Sequence, residues 1–135
     1  MTKGRKPETL PKHIDALAEA PPAPDWLPDA GKAEWRRIMP TLVRRGTLTV
    51  ADMAAVESYC QSVGLARQAQ EQVTEEGATI TAGNGRMIRH PALQTIKDFT
   101  IEARRLATEL GLTPVSRERL GSREGLGDLF EEFDV

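Results

Sequence analysis

Cys60, His13 and His90 are the side chains of this 135-residue chain able to act as a thiol nucleophile or an imidazole base. Their surroundings argue against both uses. Cys60 falls on the apolar side of a helical repeat, where a thiol packs as a small hydrophobe. His13 sits in a basic arm, and His90 directly precedes Pro91. One cysteine and two histidines cannot complete a zinc set of four cysteines, or of two cysteines and two histidines, within one chain. Gly83-Asn84-Gly85 lacks the lysine and the spacing of a phosphate-binding P-loop. The acid pairs Glu75/Glu76 and Glu131/Glu132 are sequence neighbours, which point in different directions on a helix. The reading is therefore a non-enzyme, with no cofactor and no metal.

The remaining chemistry is that of charge. A net charge of −2 hides a strong pattern along the chain. Lys3, Arg5 and Lys6 make the start basic. Lys32, Arg36, Arg37, Arg44 and Arg45 make residues 29–46 basic, against Asp29 and Glu34. Arg86 and Arg89 add positive charge to the interval 77–91, which holds no acid. Residues 124–135 carry Glu124, Asp128, Glu131, Glu132 and Asp134 with no base. Solvated surface explains any one cluster; the alternation points to two partners, one anionic and one basic. Phosphates are the natural anionic partner, and such contacts hold DNA without reading its sequence. Residues 42–60 can be drawn as a helix-turn-helix around Gly46. Its recognition helix would present Asp52 early and no Arg, Lys, Asn or Gln before Gln61, so base-specific readout there is not expected. Trp26 and Trp35 read as packing anchors, because too few aromatics accompany the cations to form a single-strand track.

The elements that must carry these charges are helical. Val56, Tyr59, Val63, Ala66 and Val73 form one stripe of a long helix over about Thr49–Glu76, with Thr49 and Asp52 at its start as a capping signal. Leu93, Ile96, Ala103, Ala107 and Leu110, with Phe99 and Leu106 beside them, form a stripe over about Ala92–Leu110. Between the two, Asn-Gly flanked by short β-type runs predicts a small β-hairpin or a plain loop at the tip. A basic helix begins near Asp29, with Pro40 expected to bend or interrupt it near Met39. A turn of helix is possible at 16–20 before the Pro21-Pro22-Ala23-Pro24 run, and Trp26 with Leu27 forms an apolar anchor. Another short helix is expected at 116–120. The organisation is a disordered basic, Pro-rich arm at 1–24, a helical domain at 25–122 and an acidic tail at 123–135. Its fold class is mainly all-α, a long antiparallel helical hairpin with a preceding basic helix and disordered termini.

Six aromatics and 39% apolar residues leave a thin core. A lone helical pair keeps part of each apolar face wet, so the chain is expected to self-associate. Trp35, Val56, Tyr59, Val63, Ile96, Phe99 and Leu106 are the candidate core and oligomer residues. A single cysteine fits a reducing, cytosolic setting. No run approaches the roughly 18 apolar residues of a membrane helix.

Taken in order, several pieces resemble the small subunit of tailed-phage terminases. They are Gly4-Arg5-Lys6-Pro7, Pro24-x-Trp26-Leu27, Ala33-x-Trp35 and Gly46-x-Leu48-Thr49-x-x-Asp52. Tyr59-Cys60, Gly85 before His90-Pro91, and Glu109-Leu110-Gly111-Leu112-Thr113-Pro114-x-Ser116-Arg117-x-Arg119 complete the series. The resemblance implies a mostly helical, non-catalytic subunit that assembles into a ring in the host-cell cytoplasm. It implies engagement of double-stranded viral DNA and delivery to a large subunit that holds the ATPase and nuclease. Leu126, Leu129, Phe130 and Phe133 repeat at helical spacing among the tail acids, as a segment that folds into a partner's groove would. The large subunit is the expected partner. A small dimeric transcription regulator and a helical adaptor with no nucleic-acid role are the alternatives.

Overall fold

The computed structural model describes residues 14–119. Helix α1 spans Asp29–Arg44, α2 spans Met53–Glu76 and α3 spans Ala92–Glu109. Between α2 and α3 lie strands β1 (Thr79–Thr81) and β2 (Met87–Arg89), paired antiparallel with Ile80 opposite Ile88. The helical hairpin is thus α2–α3, and α1 packs against its open end, away from the β-hairpin.

Local chemistry explains the boundaries. The Asp52 carboxylate accepts from the Thr49 backbone N–H at 2.8 Å and from its hydroxyl at 3.2 Å. A 3₁₀ turn over Val50–Asp52 then leads into α2, so the α-helix begins at Met53 rather than at Thr49. Gly111, at φ 67°, ends α3. There the Leu112 N–H reaches the Ala107 carbonyl at 2.8 Å and the Gly111 N–H reaches that of Thr108 at 3.1 Å, a Schellman closure. Thr113 and Ser116 then cap each other, each backbone N–H donating to the other's hydroxyl at 3.1 Å. With Pro114 at the first helical position, this starts a helix over residues 114–119. The tip is a three-residue hairpin loop. The Gly85 N–H donates to the Ala82 carbonyl at 2.9 Å, and Gly85 itself takes φ 81°. That combination is a tight turn followed by a glycine bulge.

Three expectations need correction. Of the bend or interruption expected at Pro40, the interruption is absent: α1 runs through it. Both Pro40 and Arg36, whose carbonyl loses its i+4 donor, are exposed, so water can satisfy the orphaned oxygen. The Pro-rich segment shows no helical turn at 16–20 and, from Leu17 onward, is tied to the helical body. The Trp35 indole N–H donates to the Pro21 carbonyl at 2.8 Å, and the Leu17 N–H donates to Leu48 O at 2.8 Å. A buried indole needs such an acceptor, and the strap supplies it. Of the expected Trp26–Leu27 anchor, Leu27 is buried while Trp26 is 57% exposed. Residues 1–13 and 120–135, which include Lys3, Arg5, Lys6 and the apolar tail residues, lie outside the described residues.

The core is concentrated at the open end, where α2 begins and α3 ends. Leu27, Trp35, Ile38, Met39 and Leu42 meet Leu48, Val56, Tyr59, Cys60 and Leu106 there. Farther along the hairpin a second cluster holds Ala69, Val73 and Ala92, with Leu93 and Ile96 partly buried against it. Val63, Ile96 and Phe99 are half-buried. Small residues permit the α1–α2 contact. A Cβ on Gly31 would stand 2.6 Å from the Cys60 carbonyl oxygen, and one on Gly64 would stand 2.9 Å from Pro28 Cβ.

This contact predicts opposite outcomes at two glycines. Alanine ordinarily favours a helix over glycine by about 0.5–1 kcal/mol. Gly31→Ala should nevertheless destabilise the fold by about 1–3 kcal/mol, because backbone must move aside. Gly83→Ala has open space around its Cβ and should stay within about 0.5 kcal/mol of the parent. Urea denaturation midpoints compare the two directly.

Candidate nucleic-acid interface

The buried face of α1 is made by Gly31, Trp35, Ile38, Met39 and Leu42. That stripe turns Arg36, Arg37 and Arg44 into solvent, with Lys32 partly exposed beside them. Helical spacing pairs Arg37 with Arg44 on the outward face and Lys32 with Arg36 on its flank. Lys32 and Arg36 also line a cleft between α1 and the docked strap at Pro21–Ala23. Arg44 lines another, beside Ala16–Ala18.

Two cations of this region are also structural. Arg37 pairs with Glu34, its Nε donating to Oε2 at 2.9 Å, while the Tyr59 hydroxyl donates to Glu34 Oε1 at 2.8 Å. Burial raises the pKa of the Glu34 carboxyl, but the hydrogen bonds from Arg37 and Tyr59 and the Arg37 charge outweigh it, leaving that pKa lowered. Arg45 reaches across the fold, its Nη1 donating to the Leu110 carbonyl at 3.1 Å. A cation at the end of α3 is favourably placed against the helix dipole. Burial, with Arg117 nearby, lowers the Arg45 pKa.

Arg86 and Arg89 are exposed on the β-hairpin. They do not join the α1 group. The N-terminus of α1 meets α2 near Gly64, and α2 continues to Glu76 beyond that point, about 18 Å farther. These two cationic groups thus sit at opposite ends of the hairpin. Sequence reasoning missed Arg117, which the Thr113–Ser116 cap positions close to Arg45. The signal was present in the Thr-Pro-x-Ser spacing, which fixes where the helix containing Arg117 begins.

His90 also has a position the sequence did not disclose. It is buried at 4% exposure. Its Nε2 contacts the Glu76 carboxylate and its Nδ1 accepts from the Ala92 N–H at 3.0 Å. The ring therefore pins the end of α2, the base of the β-hairpin and the first turn of α3. Cys60 is fully buried. Burial, then the Glu34 charge, pushes its pKa up to about 12, so it is held as a neutral thiol. Among the described residues no group of three or more His, Cys, Asp and Glu side chains is arranged to hold a metal ion. No helix among them is long and apolar enough to cross a membrane.

A family model described as phage terminase, small subunit, matches residues 31–125. That is 95 of 135 positions. The chain belongs to the phage terminase small-subunit family. The match takes in all three helices and the β-hairpin, and it starts inside the first turn of α1. No match was found among the curated proteins or the solved structures compared with it. Family membership ties the chain to viral genome packaging, and the mainly helical architecture expected from the sequence is the one present.

The Tyr59–Glu34 contact generates a pH prediction. Burial, then the Glu34 hydrogen bond, raises the Tyr59 pKa from 10.0 to about 12, and that of Cys60 rises from 9.0 to about 12. Both groups are neutral when folded and ionise more readily when unfolded, so their stabilisation is complete below pH 9 and is lost between about 9 and 12. Urea midpoints should be insensitive to these groups below pH 9 and fall above it. Tyr59→Phe should lessen the decline between pH 10 and 12.

Proposed function

We propose that this small subunit is the non-catalytic DNA-engaging component of the packaging motor. It grips double-stranded viral DNA through many phosphate contacts, each repeated around a homo-oligomeric ring. The observation that carries this reading is the cationic surface of α1, with Arg37 and Arg44 exposed opposite the face that packs the core and Arg36 and Lys32 on its flank. A cationic edge held on a rigid helix suits the sugar–phosphate backbone. The start of α2 suits base readout poorly, since Val50 and Ala51 face solvent and the Asp52 carboxylate is engaged by Thr49.

Assembly supplies what one copy lacks. At the level of Ile96 and Phe99 the hairpin is two helices thick, and neighbouring copies cover the Phe99 side. Arg86 and Arg89 add a second contact region, and Lys3, Arg5 and Lys6 contribute further phosphate contacts. Modest contacts on each copy then sum to useful avidity. The segment carrying Leu126, Leu129, Phe130 and Phe133 binds the large subunit, its acids meeting basic groups there. Packaging on this reading takes place in the host-cell cytoplasm.

Two measurements test the proposal. Sedimentation at micromolar concentration should give a multimer, and a stable single-copy species would overturn the assembly. Double-stranded DNA affinity should fall by roughly a thousandfold between 50 and 200 mM salt, through counterion release. Arg36→Ala with Arg44→Ala should weaken binding at low salt and flatten that slope. Affinity independent of salt would overturn the phosphate grip.

A further inference from the structure

One side of the α2–α3 hairpin is an open groove of about 380 Å³. Its floor is apolar, with Val63 and Ala66 from α2 facing Ile96 and Ala103 from α3, and Arg67 and Arg104 stand along it. Neither arginine is in an ion pair among the described residues, whereas the adjacent Arg105 pairs with both Glu102 and Glu109. An apolar floor with two unpaired cations fits an amphipathic acidic segment.

The chain has such a segment. Leu126, Leu129, Phe130 and Phe133 are spaced i, i+3, i+4 and i+7, so a helix would place them on one face. Glu124, Asp128, Glu131, Glu132 and Asp134 surround them without a base. The tether favours the same chain over a neighbour. Helix α3 is one wall of the groove, and only residues 110–119 separate its end from the last described residue. From Arg119 to Leu126 the extended chain reaches about 24 Å. A tether this short gives an effective concentration in the millimolar range, above that of neighbouring copies in dilute solution.

We propose that the α2–α3 groove is the docking site of residues 124–135 of the same chain. The docked tail covers Val63 and Ile96, and the acids lie against Arg67 and Arg104. This goes beyond the DNA reading and does not depend on it. It adds that any partner taking the tail must first draw it out of the groove.

Disulfide trapping in the full-length chain tests the site with neither DNA nor large subunit present. Thr100 lines the groove, and Thr100→Cys is combined with Phe130→Cys. Mild oxidation of a dilute sample should give an intrachain disulfide, identified by mass spectrometry of the linked peptides. A pairing of Phe130→Cys with Gln61→Cys, an exposed position that is not in the groove, should link at least tenfold more slowly. Arg67→Glu with Arg104→Glu should slow the Thr100 link about fivefold or more, and Glu131→Arg with Glu132→Arg should restore it. Circular dichroism confirms that each variant is folded. Equal rates at positions 61 and 100, or no effect of charge reversal in folded protein, would overturn the proposal. A ladder of interchain products in place of the intrachain link would give the groove to a second copy and overturn it equally.

Discussion

How closely α1 approaches α2 is set by a backbone carbonyl. The Cys60 oxygen occupies the space that a side chain at position 31 would need, and Pro28 fills the space beyond Gly64. Two glycines on facing helices let the backbones come together where any side chain would hold them apart. The rest of the fold is registered from that contact. It seats Trp35, Ile38, Met39 and Leu42 on the open end of the hairpin and fixes the rotation of α1 about its axis. The outward direction of Arg36 and Arg44 is a consequence of that seating. The cationic surface of this terminase small subunit is therefore a product of how its core packs.

Several of the polar groups lock this arrangement from its edges. Glu34 accepts from Arg37 within α1 and from Tyr59 on α2, so a single carboxylate joins two helices. Arg45 joins the end of α1 to the end of α3. His90 does the same work at the opposite end, between α2 and α3. Each of these links holds a helix end or a helix pair in register, where apolar contact alone permits sliding. Stabilisation is accordingly uneven. Three helices and a docked strap protect the open end, while the end closed by the β-hairpin depends on Ala69, Val73 and Ala92 with the His90 clamp.

That unevenness connects the fold to its proposed use. The hairpin leaves apolar surface on both sides, one groove lined by Val63 and Ile96 and the other by Leu65, Ile80 and Phe99. In a family whose members act in genome packaging, open faces of this sort suit an assembled component.

The sequence by itself determined the element order and most boundaries, because these follow from local rules. A 3.6-residue apolar period, a Thr-x-x-Asp cap, a Gly-Asn-Gly tip and a glycine after Leu110 each act within a few residues. The order of short motifs determined the family as well, and the charge blocks located the cations. Tertiary structure alone decided what each charged residue is bonded to. Arg45 meets Leu110, Tyr59 meets Glu34 and Trp35 meets Pro21 across separations of 65, 25 and 14 residues. No local pattern encodes those pairs. It decided, too, that Pro40 stays within an unbroken helix and that the Pro-rich strap lies against α1. The physical reason is common to all of these. Propensity and periodicity report the free energy of a segment with itself, whereas close packing and long-range hydrogen bonds exist only after distant segments have met.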